Sequence, residues 1–314
     1  LHAQEFDVPH IRIATRRSPL ALWQAEYIAA KLKRLEPDLT TELVKIVTRG
    51  DKILDVPLAQ VGGKGLFTKE IDLALLDGRA DIAVHSMKDV PTELPEGTSI
   101  RAHPKREDPR DAVATVTGGG LDTLPEGARI GTSSLRRVAQ IRARFPTFEF
   151  TSIRGNIQTR LSRLGEEVDA VILAAAGIRR MGLEEKMHAF IEPDELLPAV
   201  AQGTLGIQTR NADDAINALV DRLNDAETVD RTRAERAFLA RLEGGCQVPI
   251  AAYATLDGDQ LLLKGLVGEV DGSRIIRREL RGPRVQAERI GRELAETVLA
   301  EGADEILARL YNDA

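Results

Sequence analysis

The chain has 314 residues, with 43 Lys and Arg against 49 Asp and Glu, and its net charge of −6 argues against a general nucleic-acid binder. Aromatic residues make up 4%, too few for a base-stacking surface. The single cysteine excludes an internal disulfide and a cysteine-based zinc site, and the five histidines form no HExxH-like pair, so no metal is expected. No apolar run approaches the ~18 residues a membrane span needs. The opening LHAQEFDVPH has no basic segment followed by an apolar one. The expectation is a cytoplasmic protein of two or three domains with no membrane partner.

HIRIAT (10–15) reads as a strand, and Ser18-Pro19 is an N-cap followed by a favoured first helical residue. Leu20, Trp23, Tyr27 and Leu32 then recur near one helical face. ELVKIVTRGD (42–51) is a second predicted strand, VGGKGLF (61–67) a loop and TKEIDLALLDGRA (68–80) a helix stopped by Gly78. DIAVHSM (81–87) is a strand that runs into HSMKDVPT. The same alternation returns with strands at 128–134, 148–156 and 169–177 and helices at 134–144 and 157–164. Alternation over residues 10–210 predicts α/β layers with largely parallel sheets. After two more helices, three strand-like runs (249–256, 260–268, 273–280) are separated by Asp257-Gly258 and Asp271-Gly272, and a helix follows over 286–302. That last third reads as a small α+β domain with a three-stranded antiparallel sheet.

Cations collect just past the strands: Arg16, Arg49, Lys88, Arg136, Arg137, Arg154, Arg179 and Arg180, with Ser18, Ser86, Thr132, Ser133, Ser134, Gly155 and Asn156 among them. Ligands of open α/β sheets sit beyond the carboxyl ends of the strands, and helix N-termini there favour anions. Arginine holds carboxylates with a two-pronged fork. An acidic chain with this placement is expected to bind a polyanion, carboxylates before phosphates. No GxxxxGK[ST] or GxGxxG is present, which argues against a nucleotide enzyme. A single Arg pair is more often a solvated helix face; the shared strand-end placement is what favours a site. Asp89, directly after Lys88, is the acid best placed to stabilise a developing cation or to shuttle a proton. A non-catalytic two-lobed receptor is the main alternative, against which stand the third domain and Cys246.

RIATRRSPLALWQA, VGGKGLFTKE, HSMKDVPT, GTSSLRR, RGNIQTRL, LPAVAQGTLGIQTR and LEGGCQVPI, in this order over about residues 10 to 314, resemble the porphobilinogen deaminase family. The resemblance implies head-to-tail condensation of four porphobilinogen molecules onto a covalent dipyrromethane cofactor. Ammonia leaves at each step, and water finally releases hydroxymethylbilane. It implies a thioether from the cofactor to Cys246 and catalysis by Asp89. Arg16, Arg136, Arg137, Arg154, Arg160 and Arg180 match residues that hold acetate and propionate groups. Ser18, Lys64, Ser86, Lys88, Thr132, Ser133, Ser134, Gly155, Asn156 and Gln202 match neighbouring contacts. Gln60, just before VGGKG, departs from the lysine of many relatives.

The fold implied is two doubly wound α/β domains resembling type II periplasmic binding proteins, plus a small α+β C-terminal domain. The first domain would comprise 1–104 and 200–221, the second 105–199 and the third, with Cys246, 222–314. The two crossings suggest a hinge. A monomer acting on a small-molecule substrate is expected.

Overall fold

A computed structural model describes residues 10–52, 65–243 and 248–312. Thirteen strands form three sheets among these residues. The first holds β1 (His10–Arg16), β2 (Thr40–Ile46), β3 (Ile82–Ser86), β4 (Thr98–Ala102) and β10 (Leu205–Arg210), in the order β2-β1-β3-β10-β4. The second holds β5 (Asp111–Thr115), β6 (Arg129–Gly131), β7 (Glu149–Thr151), β8 (Ala170–Ala174) and β9 (Ala189–Ile191), in the order β7-β6-β8-β5-β9. The third is the meander β11 (Ile250–Asp257), β12 (Gln260–Gly268), β13 (Ile275–Pro283).

The first two sheets share one plan. Four strands run the same way, and one strand in each, β10 or β5, runs against both neighbours. The mixed pairing corrects the expectation of largely parallel sheets, and the crossings explain it. The chain leaves the first sheet after Ala102 and enters the second at Asp111; it leaves after Ile191 and re-enters at Leu205. Each entering strand begins at the cleft rim, where a parallel strand ends: Asp111 lies opposite Ala174, and Leu205 opposite Ser86. A strand that starts at the rim has to run back into its lobe.

Several expected boundaries move. The strand placed at 42–51 ends at Ile46, and Arg49–Lys52 form the short helix α2, because Asp51 accepts from Thr48 N (3.1 Å) and Thr48 Oγ1 (2.8 Å). The strands placed at 128–134 and 148–156 stop at Gly131 and Thr151. The strand placed at 169–177 stops at Ala174, and Ala175–Arg180 turn helical where β-branched residues give way to alanine. The expected helix 286–302 runs regularly over Ala287–Val298, then loosens into a π-turn at Leu299–Ala303, with Gly302 at φ 97°, before Asp304–Asn312. Most of the loop placed at 61–67 lies outside the described residues.

Helix α1 (Pro19–Leu35) and helix α3 (Lys69–Leu76) pack on the first sheet, whose Ile11, Ile13 and Ile82 are fully buried. Helix α4 (Leu135–Arg144), α5 (Ile157–Leu161) and α6 (Ala175–Arg180) belong to the second lobe, and α7 (Asp214–Asp221) follows β10. In the third domain, α8 (Ala226–Arg241) and α9 (Ala287–Val298) cover the meander around the fully buried Phe238. No described helix is long and apolar enough to cross a membrane.

The crossings meet on α8. The Glu235 carboxylate, wholly buried, accepts from Arg106 Nη1 (2.6 Å), Ala201 N (2.6 Å) and Ala254 N (2.8 Å). One side chain thus ties the outgoing crossing, the return crossing and the third sheet together. The crossings also touch each other. Gly203 sits at φ 89°, and a Cβ there would meet Glu107 O at 2.4 Å, so only glycine fits.

Candidate active site

The cleft between the two α/β lobes opens at the strand ends and encloses about 440 Å³, within the usual range of small-molecule sites. Leu239, Val248 and Ile250 close it from the third domain.

The first lobe supplies Arg16 from the end of β1, Ser18 and the turn after β3. Ser18 caps α1 by accepting from Ala21 N at 3.3 Å. Arg16 Nε donates to Asp51 at 3.1 Å, and its guanidinium lies 4.2 Å from the centre of the Phe67 ring. Burial alone raises the Asp51 carboxyl, but Arg16 and the two hydrogen bonds from Thr48 together outweigh it and hold it below the ordinary value. The 3₁₀ turn Met87–Asp89 is fixed by the buried Met87, whose N–H donates to Thr204 O at 2.9 Å. That anchor leaves Lys88 and Asp89 half-buried on the cleft wall.

The second lobe supplies Ser133, Ser134, Arg136, Arg137, Arg154, Gly155, Asn156 and Arg160. Asn156 caps α5 by accepting from Thr159 N at 2.8 Å, with Gly155 at φ 107° before it. Arg160 Nε donates to Gly155 O at 2.9 Å. Burial, then the nearby Arg137 and Arg154, push the Arg160 guanidinium down to about 10. Arg136 and Arg137 occupy the first turn of α4, which has no acid. Cations at a helix N-terminus oppose its dipole. They are not a solvated face: they are 4% and 5% exposed. Asp111 holds both, through Arg136 Nη1 (2.8 Å) and Arg137 Nη2 (2.6 Å).

Three expected site residues stand behind the lining. Ser86 accepts from Gln24 Nε2 at 2.9 Å, and Thr132 Oγ1 accepts from Ser134 N at 3.2 Å. Arg180 Nη2 donates to Gly203 O at 2.6 Å and so braces the return crossing. Gln202 lines the cleft, as expected. Arg179 pairs with Asp108 at 3.0 Å, and Arg49 is exposed; neither lines the cleft. Lys64, Gln60 and Cys246 lie outside the described residues. Sequence reasoning missed Asp51, Phe67 and Asp111. Their types carry no motif, and only the fold brings them to the arginines.

Among the described residues, six cations line the cleft against two carboxylates, Asp51 and Asp89, in a chain whose net charge is −6. Arg136 Nε is buried with no hydrogen-bond partner among the described residues. A buried, unsatisfied donor on a cation calls for an acceptor, and a polycarboxylate supplies one. The residues present therefore fit a ligand carrying several carboxylates.

Burial pushes Lys88 down to about 8, with Asp89 offsetting part of the effect. The protonated form is the one that attracts a carboxylate. As pH rises through about 8 the ammonium is lost, and kcat/KM is expected to fall with it. Lys88→Arg, which stays charged, should remove that decline; a decline unchanged in the variant assigns it to another group.

Family comparison agrees with this reading. The model described as porphobilinogen deaminase, dipyromethane cofactor binding domain, matches residues 11–218, and that of the porphobilinogen deaminase C-terminal domain matches residues 229–300. Solved structures with some likeness include the VFT2 domain of BvgS from Bordetella pertussis (14% identity, 69% of this chain and 87% of that one, TM-score 0.41). Others are the OxyR2 regulatory domain from Vibrio vulnificus (13%, 70% and 99%, TM-score 0.41) and the periplasmic aliphatic sulphonate binding protein SsuA from Escherichia coli (13%, 74% and 70%, TM-score 0.40). At these scores the structural likenesses carry no inference about what this chain binds. With both family models matched in order along the chain, around a cleft built for carboxylates, this chain belongs to the porphobilinogen deaminase family.

Proposed function

We propose that the work of the reaction is divided among Asp89, the cleft cations and Cys246. The family's enzyme is hydroxymethylbilane synthase, a transferase of tetrapyrrole biosynthesis that polymerises porphobilinogen on a dipyrromethane cofactor. When bound, that cofactor supplies the pyrrole carbon to which substrate is joined.

The carrying observation is the imbalance, among the described residues, of six lining cations over two carboxylates, one of which is already engaged by Arg16. Each porphobilinogen brings two carboxylates. Arg16, Lys88, Arg136, Arg137, Arg154 and Arg160 hold them, with Ser18, Ser133, Ser134, Gly155, Asn156 and Gln202 as polar neighbours. Asp51 is committed to Arg16, which leaves Asp89 for the chemistry. Each condensation breaks the substrate's C–N bond to ammonia, forms a C–C bond and releases one proton from a pyrrole carbon. The Asp89 carboxylate stabilises the cation that develops on the substrate as ammonia leaves, and an Oδ atom accepts the proton. Arg180, Ser86 and Thr132 support the wall from behind, and Lys64 is assigned from its motif.

Cys246 is the proposed anchor. It is assigned from the LEGGCQVPI motif, and as the single cysteine of the sequence it offers the thiol for a thioether. The divisions 1–104 with 200–221, 105–199 and 222–314 serve as catalytic, anion-binding and cofactor-bearing domains of a cytoplasmic monomer. The test is intact mass under denaturing conditions. Wild type should exceed its sequence mass by a dipyrrole that Cys246→Ser lacks; the same excess in both would place the anchor elsewhere.

A further inference from the structure

We infer that Asp111 is the positioning residue for the carboxylate-binding pair Arg136 and Arg137, and that it joins this pair across the cleft to Lys88. The inference rests on the proposed role of that pair and goes beyond it. Asp111 is the first residue of β5, at the end of the outgoing crossing, and is wholly buried. Its Oδ2 accepts from Arg136 Nη1 at 2.8 Å. Its Oδ1 accepts from Arg137 Nε at 3.1 Å and Nη2 at 2.6 Å, and from Gln202 Nε2 at 3.0 Å. Gln202 Oε1 in turn accepts from Lys88 Nζ at 3.4 Å. One carboxylate from the second lobe thus reaches, through a crossing residue, the lysine beside Asp89 in the first.

Geometry explains why this fixes the pair. Asp111 and a carbonyl hold opposite sides of the Arg137 guanidinium, Ile172 O accepting from its Nη1 at 2.9 Å. Arg136 Nη1 donates to both Asp111 Oδ2 and Leu197 O, each at 2.8 Å. Turning either side chain breaks these bonds. Charge matters equally. Two guanidiniums buried at a helix N-terminus repel each other, and a single carboxylate between them leaves one net positive charge for the ligand. Burial alone would raise the Asp111 carboxyl, yet the two arginines outweigh it and hold it well below the usual range, so it stays charged at any working pH. Lys88 is faced by Asp89, Arg137, Asp111 and Arg136, and Asp111 is one of the two groups that favour its protonated form.

The experiment uses Asp111→Asn and Asp111→Glu in the cofactor-loaded enzyme, with KM, kcat and the pH dependence of kcat/KM measured alongside thermal melting. Asp111→Asn keeps the shape and removes the charge. Its KM for porphobilinogen should rise about tenfold or more, and the decline of kcat/KM assigned to Lys88 should shift to lower pH. Asp111→Glu keeps the charge but displaces it by a methylene, so KM should rise while the pH profile stays near wild type. If Asp111→Asn does not fold, the Glu variant decides alone. A lowered melting temperature with unchanged KM and profile in the folded variants would make Asp111 merely structural and overturn the inference. Arg136→Lys separates the two levels of the argument. An unchanged KM there means the pair does not bind carboxylate. A raised KM there with an unchanged one in Asp111→Glu sinks the Asp111 inference alone.

Discussion

Asp89→Asn is expected to lower kcat by about 10²–10⁴-fold while the protein keeps its fold. Asparagine has the same shape and no charge. It can neither stabilise a cation on the substrate nor accept the proton that the new C–C bond releases. The other lining carboxylate cannot take over, because Asp51 is held by Arg16 and by Thr48. The fold should tolerate the change, since Asp89 is half-buried on a turn fixed by Met87 and the Thr204 carbonyl. Substitutions at such positions usually alter stability by no more than about 0.5 kcal/mol. Porphobilinogen consumption gives the rate, and a thermal melt checks the fold. Near-normal turnover would remove Asp89 from the chemistry.

The second large effect is expected from the Arg136→Lys, Arg137→Lys double variant. Replacing both by leucine would leave Asp111 buried without a counter-charge, at a cost of about 3–5 kcal/mol, and loss of fold would obscure the result. Lysine keeps the charge beside Asp111 but not the planar fork. A charge-assisted hydrogen bond contributes about 1.5–3 kcal/mol, so losing both forks should weaken substrate binding by about a hundredfold or more. On the proposed assignment cofactor loading uses the same contacts and should fall as well. The measurements are KM for porphobilinogen and the fraction of protein carrying excess mass. Unchanged values in both would contradict a carboxylate role for this pair.

Much of this site was legible in the sequence because its chemistry is carried by short segments at strand ends. Arg16 ends a strand, Ser18, Lys88, Asp89, Arg154 and Asn156 each follow one, and all six line the cleft. Their setting was less legible. In LRRVAQ, Arg136 and Arg137 resemble a solvated face; what buries them is Asp111, 25 residues earlier than Arg136, on a strand the hydrophobic pattern did not reveal. Strands β4, β5, β9 and β10 were missed for a common reason. They are three to six residues long, and β5 is buried at every position, so no alternation marks it. Two of them, β5 and β10, are the reversed strands that begin at the crossings, and missing them made the sheets look parallel. Arg179 and Arg180 show the limit of position alone. They are neighbours in one helix, yet one pairs with Asp108 and the other braces Gly203. The third sheet was placed nearly residue for residue because its Asp-Gly turns are local signals.

The central claim is that a tethered chain grows in the cationic cleft and that Asp89 carries out each condensation. Its most direct test is a brief exposure of wild type and Asp89→Asn to limiting porphobilinogen, an acid quench, and intact mass. Wild type should show a ladder of protein species above the cofactor-loaded mass, each rung one condensed porphobilinogen heavier. Asp89→Asn should remain at its starting mass over the same interval. A ladder of equal extent in both, or one in neither, would contradict the account.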